Sequence, residues 1–413
     1  MKQYQVVFVE TQGHVLDDAR LKLLGKHPDW RILLMIDGDA AIKLIAQRSA
    51  SLVMANFGVD RRACETFFRE LRDNYPEIIR VGLVDDYKKA ELGDTLEYAH
   101  ECIAASCDSS QFETVIARGL TVSERTRKNA RLAKLISNLK NLPTPPSLYF
   151  DIRDELESPT GDSHSIAQVI AKDPATAAKL LMVANSGFYA TPRTIFDLHE
   201  AITLLGFEMV SALVLATHLF DQLPLPGVNM DVLWVHSLAV ARLAKEIAVQ
   251  EGCSRSSASV CGVAGLLHDL GELIFLSNAS ESYYGMVRHS GGDERALLQM
   301  ELEQFGVGHP ELGAHILSLW GLPEEIVQAV AYHHGGVDRP FSDEPLPSKV
   351  VCLAEWLLQT HNLASEPDLT GTCLAGNPLM RSHQMEVWRK ILDRLVDQGT
   401  IREPFNPAQE LFG

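Results

Sequence analysis

Five short apolar runs punctuate the first part of the chain: Val6–Val9, Ile32–Met35, Leu52–Ala55, Val81–Val84 and Cys102–Ala105. Between them lie amphipathic stretches such as Cys64–Asn74, which gathers Phe67, Phe68 and Leu71 on one side at helical spacing. Uninterrupted apolar runs separated by helical patterns mark strands buried on both faces. Residues 1–122 are therefore expected to form an α/β unit with a doubly wound, five-stranded parallel sheet.

The period then changes. Arg125, Arg127, Lys128, Arg131, Lys134 and Lys140 form a basic face, while Leu132, Leu135, Ile136 and Leu139 repeat at helical spacing. This predicts a basic linker helix over 123–141, packed on a neighbouring domain or serving as a dimerising stalk or docking site. Leu142-Pro143-Thr144-Pro145-Pro146 ends it. Beyond Ser147 the spacing predicts helices over 163–171, 175–184, 198–205, 209–219, 233–249, 259–275, 294–305, 311–320 and 324–333. A last amphipathic helix spans 383–397, with Val387, Trp388, Ile391, Leu392 and Leu395 on its apolar side. No strand-like alternation intervenes, so an all-α bundle is expected over 142–340, with a helical extension over 341–413 packed on it. Asp173-Pro174 reads as a helix cap followed by a first-turn proline. Asn185-Ser186-Gly187 reads as a helix end.

Composition narrows the function classes. The chain has 413 residues, 46% apolar and 22% charged, the balance of a globular multidomain protein. Its formal net charge of −17 opposes broad binding to nucleic acid or anionic membranes, so direct DNA binding is not expected. No apolar run approaches the roughly 18 residues of a membrane span, and Met1–Gln5 leads straight into the first strand pattern without a secretory signal. The seven cysteines are scattered without a CxxC pair, which fits reduced thiols and a cytoplasmic location.

The chemistry concentrates at Gly265-Leu266-Leu267-His268-Asp269-Leu270-Gly271. An imidazole and a carboxylate in so apolar a stretch need partners: a metal ion, a phosphate or a local hydrogen-bond network. His236, His309 and His333-His334 are further candidates that a helical domain could bring to them. Any one of these histidines could instead be a hydrogen-bonded helix residue. His164, His199, His218, His315 and His361 are assigned to surface or packing.

The first 122 residues resemble the receiver domain of two-component response regulators, by pattern of elements rather than by motif. Receivers carry an acidic pair after strand one, a phosphorylated Asp ending strand three, a Ser/Thr ending strand four and a Lys ending strand five. The matching positions here are Glu10-Thr11, Asn56, Val84 and Ala105. An amide at Asn56 cannot form an acyl phosphate, and Ala105 brings no ammonium to pair with one. Asp60 and Asp85-Asp86 sit off the expected place. The resemblance thus implies a degenerate, non-phosphorylated receiver, used for protein contact or dimerisation.

Several phrases of the helical part are similar to the HDOD domain, a bacterial signalling module related to the HD phosphohydrolases and the HD-GYP cyclic-dinucleotide phosphodiesterases. They are Leu142–Pro146, Ala171-Lys172-Asp173-Pro174-Ala175, Lys179–Ser186, Glu200-Ala201-Ile202-Thr203-Leu204-Leu205-Gly206 and Gly265–Gly271. The resemblance implies a metal set of His236, His268, Asp269, His309, His333, His334 and Glu355, with His268 and Asp269 catalytic if the protein is an enzyme. Imidazole and carboxylate donors suit Fe, Mn, Zn or Ni and could activate water against a phosphodiester. Three departures stand against turnover. Glu272 replaces the Lys common in the phosphodiesterases, Gly335-Gly336-Val337-Asp338 follows the double His in place of Gly-Tyr-Pro, and Glu355 replaces the usual Asp. The expectation is a signal-transduction regulator that contacts signalling proteins, with itself as one candidate partner in a homodimer. The alternatives are a metal-dependent phosphohydrolase acting on a cyclic dinucleotide or other nucleotide, and a nucleotide or metal sensor without turnover.

Overall fold

The structure, a computed structural model, describes residues 3–11, 13–23, 25–58, 60–84, 98–105, 109–139, 145–158, 160–186, 189, 193–222, 228–335, 345–361, 382–397 and 401. Cys107, Lys140, Asp85-Asp86, Leu142-Pro143-Thr144, Gly187 and Gly336-Val337-Asp338 lie outside the described residues. The chain divides into two compact units, Met1–Ser147 with Leu317–Gly321, and Leu148–Ile316 with Leu322–Gly413.

In the first unit, strands β1 (Tyr4–Glu10), β2 (Trp30–Met35), β3 (Leu52–Asn56), β4 (Ile79–Val84) and β5 (Glu101–Ala104) form one parallel sheet in the order β2-β1-β3-β4-β5. Val6 pairs with Ile32 on one side and Leu52 on the other. Side chains alternate across a strand. Val7, Val9, Val53 and Ala55 therefore share one face, where they pack with Ala41 and Ile45 of α2 (Gly38–Gln47) and Phe67, Phe68 and Leu71 of α3 (Arg61–Asn74). Helix α1 (Val15–Leu23) precedes β2, and α4 (Ser109–Lys128) packs near enough to β3 that a Cβ on Gly119 would stand 2.5 Å from Leu52 Cδ1.

The basic helix predicted over 123–141 is two elements. Helix α4 begins at Ser109, so residue 122 falls inside it, and it stops at Lys128. Asn129 then leaves helical backbone and its side chain accepts from the amides of Arg131 and Leu132, capping α5 (Ala130–Asn138). A short polar side chain that satisfies two orphan amides is a start signal for a new helix, and it overrides the apolar period that runs through it.

The second unit is helical. It comprises α6 (Ser147–Glu157), α7 (Ser163–Ile170), α8 (Pro174–Asn185), α9 (Leu198–Leu205), α10 (Phe207–Gln222), α11 (Met230–Gln250), α12 (Arg255–Leu267), α13 (Leu270–Ser290), α14 (Glu294–Gln304), α15 (His309–Leu319), α16 (Glu324–Ala331), α17 (Leu346–Thr360) and α18 (Ser382–Asp397). Asp173 caps α8 with Pro174 in its first turn. At its other end Asn185 clamps Ile195, accepting from its amide and donating to its carbonyl. Trp388 of α18 is wholly buried and donates its indole N–H to Glu251.

The helix expected over 259–275 is broken at the His-Asp pair. Asp269, at φ −92° and ψ 16°, leaves helical backbone between α12 and α13. The span Arg255–Ala279 is long and apolar enough to cross a membrane, but 89% of its apolar window is buried inside the unit, as a core helix pair would be. Close approach explains the break. A Cβ on Gly265 would stand 3.0 Å from the Ala241 backbone of α11, and one on Gly271 would stand 2.0 Å from the His309 carbonyl oxygen of α15. Two glycines thus let the chain on either side of the pair press against neighbouring backbones.

Candidate metal centre

Seven segments of the helical unit deliver polar groups to one cluster. Helix α11 supplies His236, the α12–α13 corner supplies His268 and Asp269, and the first turn of α13 supplies Glu272. Helix α14 supplies Glu294 and Glu301, α15 opens on His309, the turn after α16 carries His333 and His334, and α17 carries Glu355. Glu355 lies beyond the boundary at 340 expected for the helical domain; α17 packs on α11, α12 and α16 as part of the same unit.

Asp269 is the hub. Its Oδ2 lies 2.8 Å from His268 Nε2 and 3.5 Å from His236 Nε2. Its Oδ1 lies 3.9 Å from both His309 Nε2 and His333 Nε2. His334 Nε2 stands 3.2 Å from His309 Nε2 and 3.8 Å from Glu294, and its Nδ1 stands 3.8 Å from Glu355. The opposite ring nitrogens are held by main-chain or carboxylate oxygens. His268 Nδ1 is 2.8 Å from Gly265 O, His333 Nδ1 is 2.7 Å from Val330 O, and His309 Nδ1 is 2.9 Å from Glu301. Each Nδ1 then carries a proton, which leaves each Nε2 as the ring nitrogen directed at the cluster and able to bind an ion.

Several of those inward atoms have no hydrogen-bond partner among the described residues. Asp269 Oδ1, Glu294 Oε2, His268 Nε2 and His333 Nε2 are buried without a hydrogen-bond partner; the 2.8 Å contact of His268 with Asp269 is close but misaligned. An unpaired polar atom away from water costs about 1–3 kcal/mol, and four in one cluster are more than chance packing leaves. Among the described residues, four sets of three donors could each seat one ion: His236/His268/Asp269, Asp269/Glu272/His309, His309/His333/His334 and Glu294/His334/Glu355. The donor chemistry and the orphaned atoms fit a divalent metal.

The electrostatics point the same way. Burial alone would raise Asp269, but the facing His268 and His236 hold it well below the usual carboxylate range. Burial and the charge of Asp269 push Glu272 well above that range and raise Glu294 to about 8. Burial would depress His309, yet Glu301 overcomes it and raises His309 to about 9. Burial and neighbouring imidazoles keep His333 and His334 well below the ordinary histidine value. Neutral imidazoles are ready ligands, and crowded carboxyls that hold protons for want of a cation would release them to one.

All seven residues expected as metal ligands converge here. Glu272, expected only as a lost cation, is itself a buried carboxylate of the cluster. Glu294, Glu301 and Tyr283 were not foreseen. Their signal was position: Glu294, Leu297 and Glu301 recur at i, i+3 and i+7, the spacing of a buried stripe. Among the remaining histidines, His361 pairs with Asp393 and His164 meets His199 edge-on, outside the cluster.

In the first unit, Asn56 donates its amide to Glu10 at 3.2 Å and accepts from the Gly58 amide at 3.0 Å. The Glu10 carboxylate accepts from the amides of Leu16 and Asp17 at the start of α1. Both groups at the expected phosphoacceptor end are thus engaged in holding the fold.

The chain is similar over 236 residues to an uncharacterized protein of Treponema pallidum, at 25% identity; the match spans 57% of this chain and 45% of that protein's length. A solved HDOD domain protein of unknown function from Geobacter sulfurreducens is 25% identical with a TM-score of 0.50, covering 68% of this chain and 97% of its own. A Shewanella amazonensis structure that carries a phosphohydrolase name shares the fold at 19% identity and a TM-score of 0.50, covering 67% of this chain and 97% of its own. The HDOD family model matches residues 142–335, and this stretch of the chain is an HDOD domain.

Proposed function

We propose that this chain is a cytoplasmic signal-transduction protein whose HDOD unit holds divalent metal and acts through protein contacts, with a receiver-like N-terminal unit that is not phosphorylated. The observation that carries the reading is that Asp269 Oδ1, His268 Nε2, His333 Nε2 and Glu294 Oε2, buried and without a hydrogen-bond partner among the described residues, each belong to residues of the linked three-donor sets around Asp269, His309 and His334. When bound, a divalent ion there would neutralise the carboxylates and could act as a Lewis acid.

What surrounds the donors favours holding over turnover. His268, His309 and His333 are fully buried, and the partly open residues are the acids Asp269 and Glu294 with His334. Catalytic metal sites keep an open position, and a phosphodiester would meet carboxylates at this one. The cavity of about 20 Å³ that Asp269 and Glu272 help to line is walled mainly by Leu219, Phe220, Leu233, Leu266 and Leu273. His236, Asp269, His309, His334 and Glu355 come from different helices, so ion binding would tie α11, α13, α15, α16 and α17 together. Signalling partners, a second copy of the chain among them, would read the arrangement so fixed.

Hydrolysis is the second reading, favoured by the mixed imidazole–carboxylate donor set and the partial exposure of Asp269. Manganese- or zinc-supplied protein is to be tested on cyclic dinucleotides and bis(p-nitrophenyl) phosphate beside His268→Ala. Equal, background rates are expected; turnover that vanishes in the variant would make the second reading the correct one.

A further inference from the structure

Helix α14 bears a fully buried carboxylate that none of the expected metal ligands required. Glu301 is completely excluded from solvent and lies in a local polar cage. Its Oε2 accepts from the His309 backbone amide at 2.7 Å, and both oxygens lie within 3.0 Å of His309 Nδ1. Its Oε1 also accepts from the Tyr283 hydroxyl. Tyr283 is itself fully buried and stacks on Phe275, whose other ring contact is Phe305. The turn before His309 is shaped for this approach: a Cβ on Gly308 would stand 2.3 Å from Leu298 Cδ1 of α14.

A carboxylate in the core is costly unless it answers specific donors. Here the donors are three, and two of them belong to one residue. Holding both the main chain and the ring of His309 sets the position and the plane of that imidazole together. It also fixes a proton on Nδ1, so that Nε2 is the nitrogen that faces Asp269 and His334 and is left to bind an ion. An acceptor-only group is required. Glutamine in its place would turn one oxygen into a donor, opposite the His309 amide, its ring N–H or the tyrosine hydroxyl.

We infer that Glu301, supported by Tyr283, is the positioning residue that presents His309 Nε2 to the metal centre, making α14 part of the ion-binding apparatus without itself touching the ion through Glu301. The inference rests on the metal-holding reading above. Loss of such an outer partner ordinarily weakens metal binding by about 10–100-fold.

The test uses the full chain, stripped with chelator and titrated with zinc against a competing chelating dye, as wild type, Glu301→Gln and Tyr283→Phe. Nitrogen-15 NMR of histidine-labelled, metal-free protein reads in parallel which His309 nitrogen carries the proton. The expected result is a hydrogen-bonded Nδ1–H in the wild type, tenfold or greater loss of zinc affinity in Glu301→Gln, and a smaller loss in Tyr283→Phe with unchanged circular dichroism. Should Glu301→Gln fail to fold, Tyr283→Phe carries the test, because it removes one donor and leaves the packing. Zinc affinities within twofold of wild type in the folded variants, or a wild-type His309 protonated only on Nε2, would overturn the inference alone. Refusal of zinc by the wild type, with Nδ1–H in place, would overturn the metal-holding reading and this inference with it.

Discussion

Gly271→Ala is the substitution whose effect the structure fixes most tightly. The glycine sits in the first turn of α13, two residues after Asp269, and its added Cβ would stand 2.0 Å from His309 O, 2.7 Å from His309 C and 2.8 Å from His309 Cα. Non-bonded heavy atoms settle about 3.5 Å apart, so the two backbones must separate by about 1.5 Å. No rotamer change can absorb this, because the obstructing atoms are main chain. Overpacking of this kind costs about 1–3 kcal/mol and more where nothing yields, so a loss on the order of 3 kcal/mol is expected. For a domain of this size that corresponds to a fall in Tm of about 6–12 °C. The separation also moves His309 away from Asp269, so zinc affinity should fall with stability. Gly285, in the same helix, provides the control: among the described residues nothing lies within 4 Å of its added Cβ. Gly285→Ala should gain up to about 1 kcal/mol from helix propensity. Thermal melts and zinc titrations of the two variants beside wild type decide the matter. If Gly271→Ala melts with Gly285→Ala and binds zinc like wild type, the close α13–α15 contact is not as described.

Two further outcomes follow from the charges. Metal-stripped protein should lose stability as pH rises from about 6.5 to 9.5. His309, held near 9 against an ordinary 6.5, contributes fully below its unfolded value and loses that contribution as pH passes its folded one. At about 1.4 kcal/mol per unit this is on the order of 3 kcal/mol, and Glu294, raised to about 8, acts in the same direction. Urea midpoints that climb over this range would refute it. Asn56→Asp replaces the donor to Glu10 with a second carboxylate and should cost about 1–3 kcal/mol near pH 8 and less at pH 5; an unmoved urea midpoint at both values would show the pair to be inessential.

Much of this architecture was legible from local pattern. Buried parallel strands are continuous apolar runs, and the five runs fall on β1 to β5 because both faces of the sheet are covered. The phrase Leu198–Leu205 coincides with α9, where Asp197 caps one end and Gly206, at φ 86°, ends the other. The break at Asp269 was not legible, because the apolar period runs unbroken through it and its cause is the contact of Gly271 with His309, 38 positions on. Glu294 and Glu301 were hidden for a similar reason. Glu294 opens α14, where an acid reads as solvated and dipole-favoured, and Glu301 lies near the other end of that helix; only Tyr283, His309 and His334, brought in by other elements, make them interior. The split at Asn129 did carry a local signal, the cap side chain itself, which the basic and apolar periods on either side masked.

The metal content of the protein tests the central claim most directly. The full chain, purified without chelator and without an affinity nickel column, is to be measured by inductively coupled plasma mass spectrometry beside His268→Ala/Asp269→Ala. The account predicts near-stoichiometric or greater divalent metal in the wild type and its loss in the variant, because Asp269 bridges both halves of the donor cluster. Absence of metal from the wild type, persisting after incubation with manganese, iron or zinc, would contradict it and leave the histidines and carboxylates as a polar core.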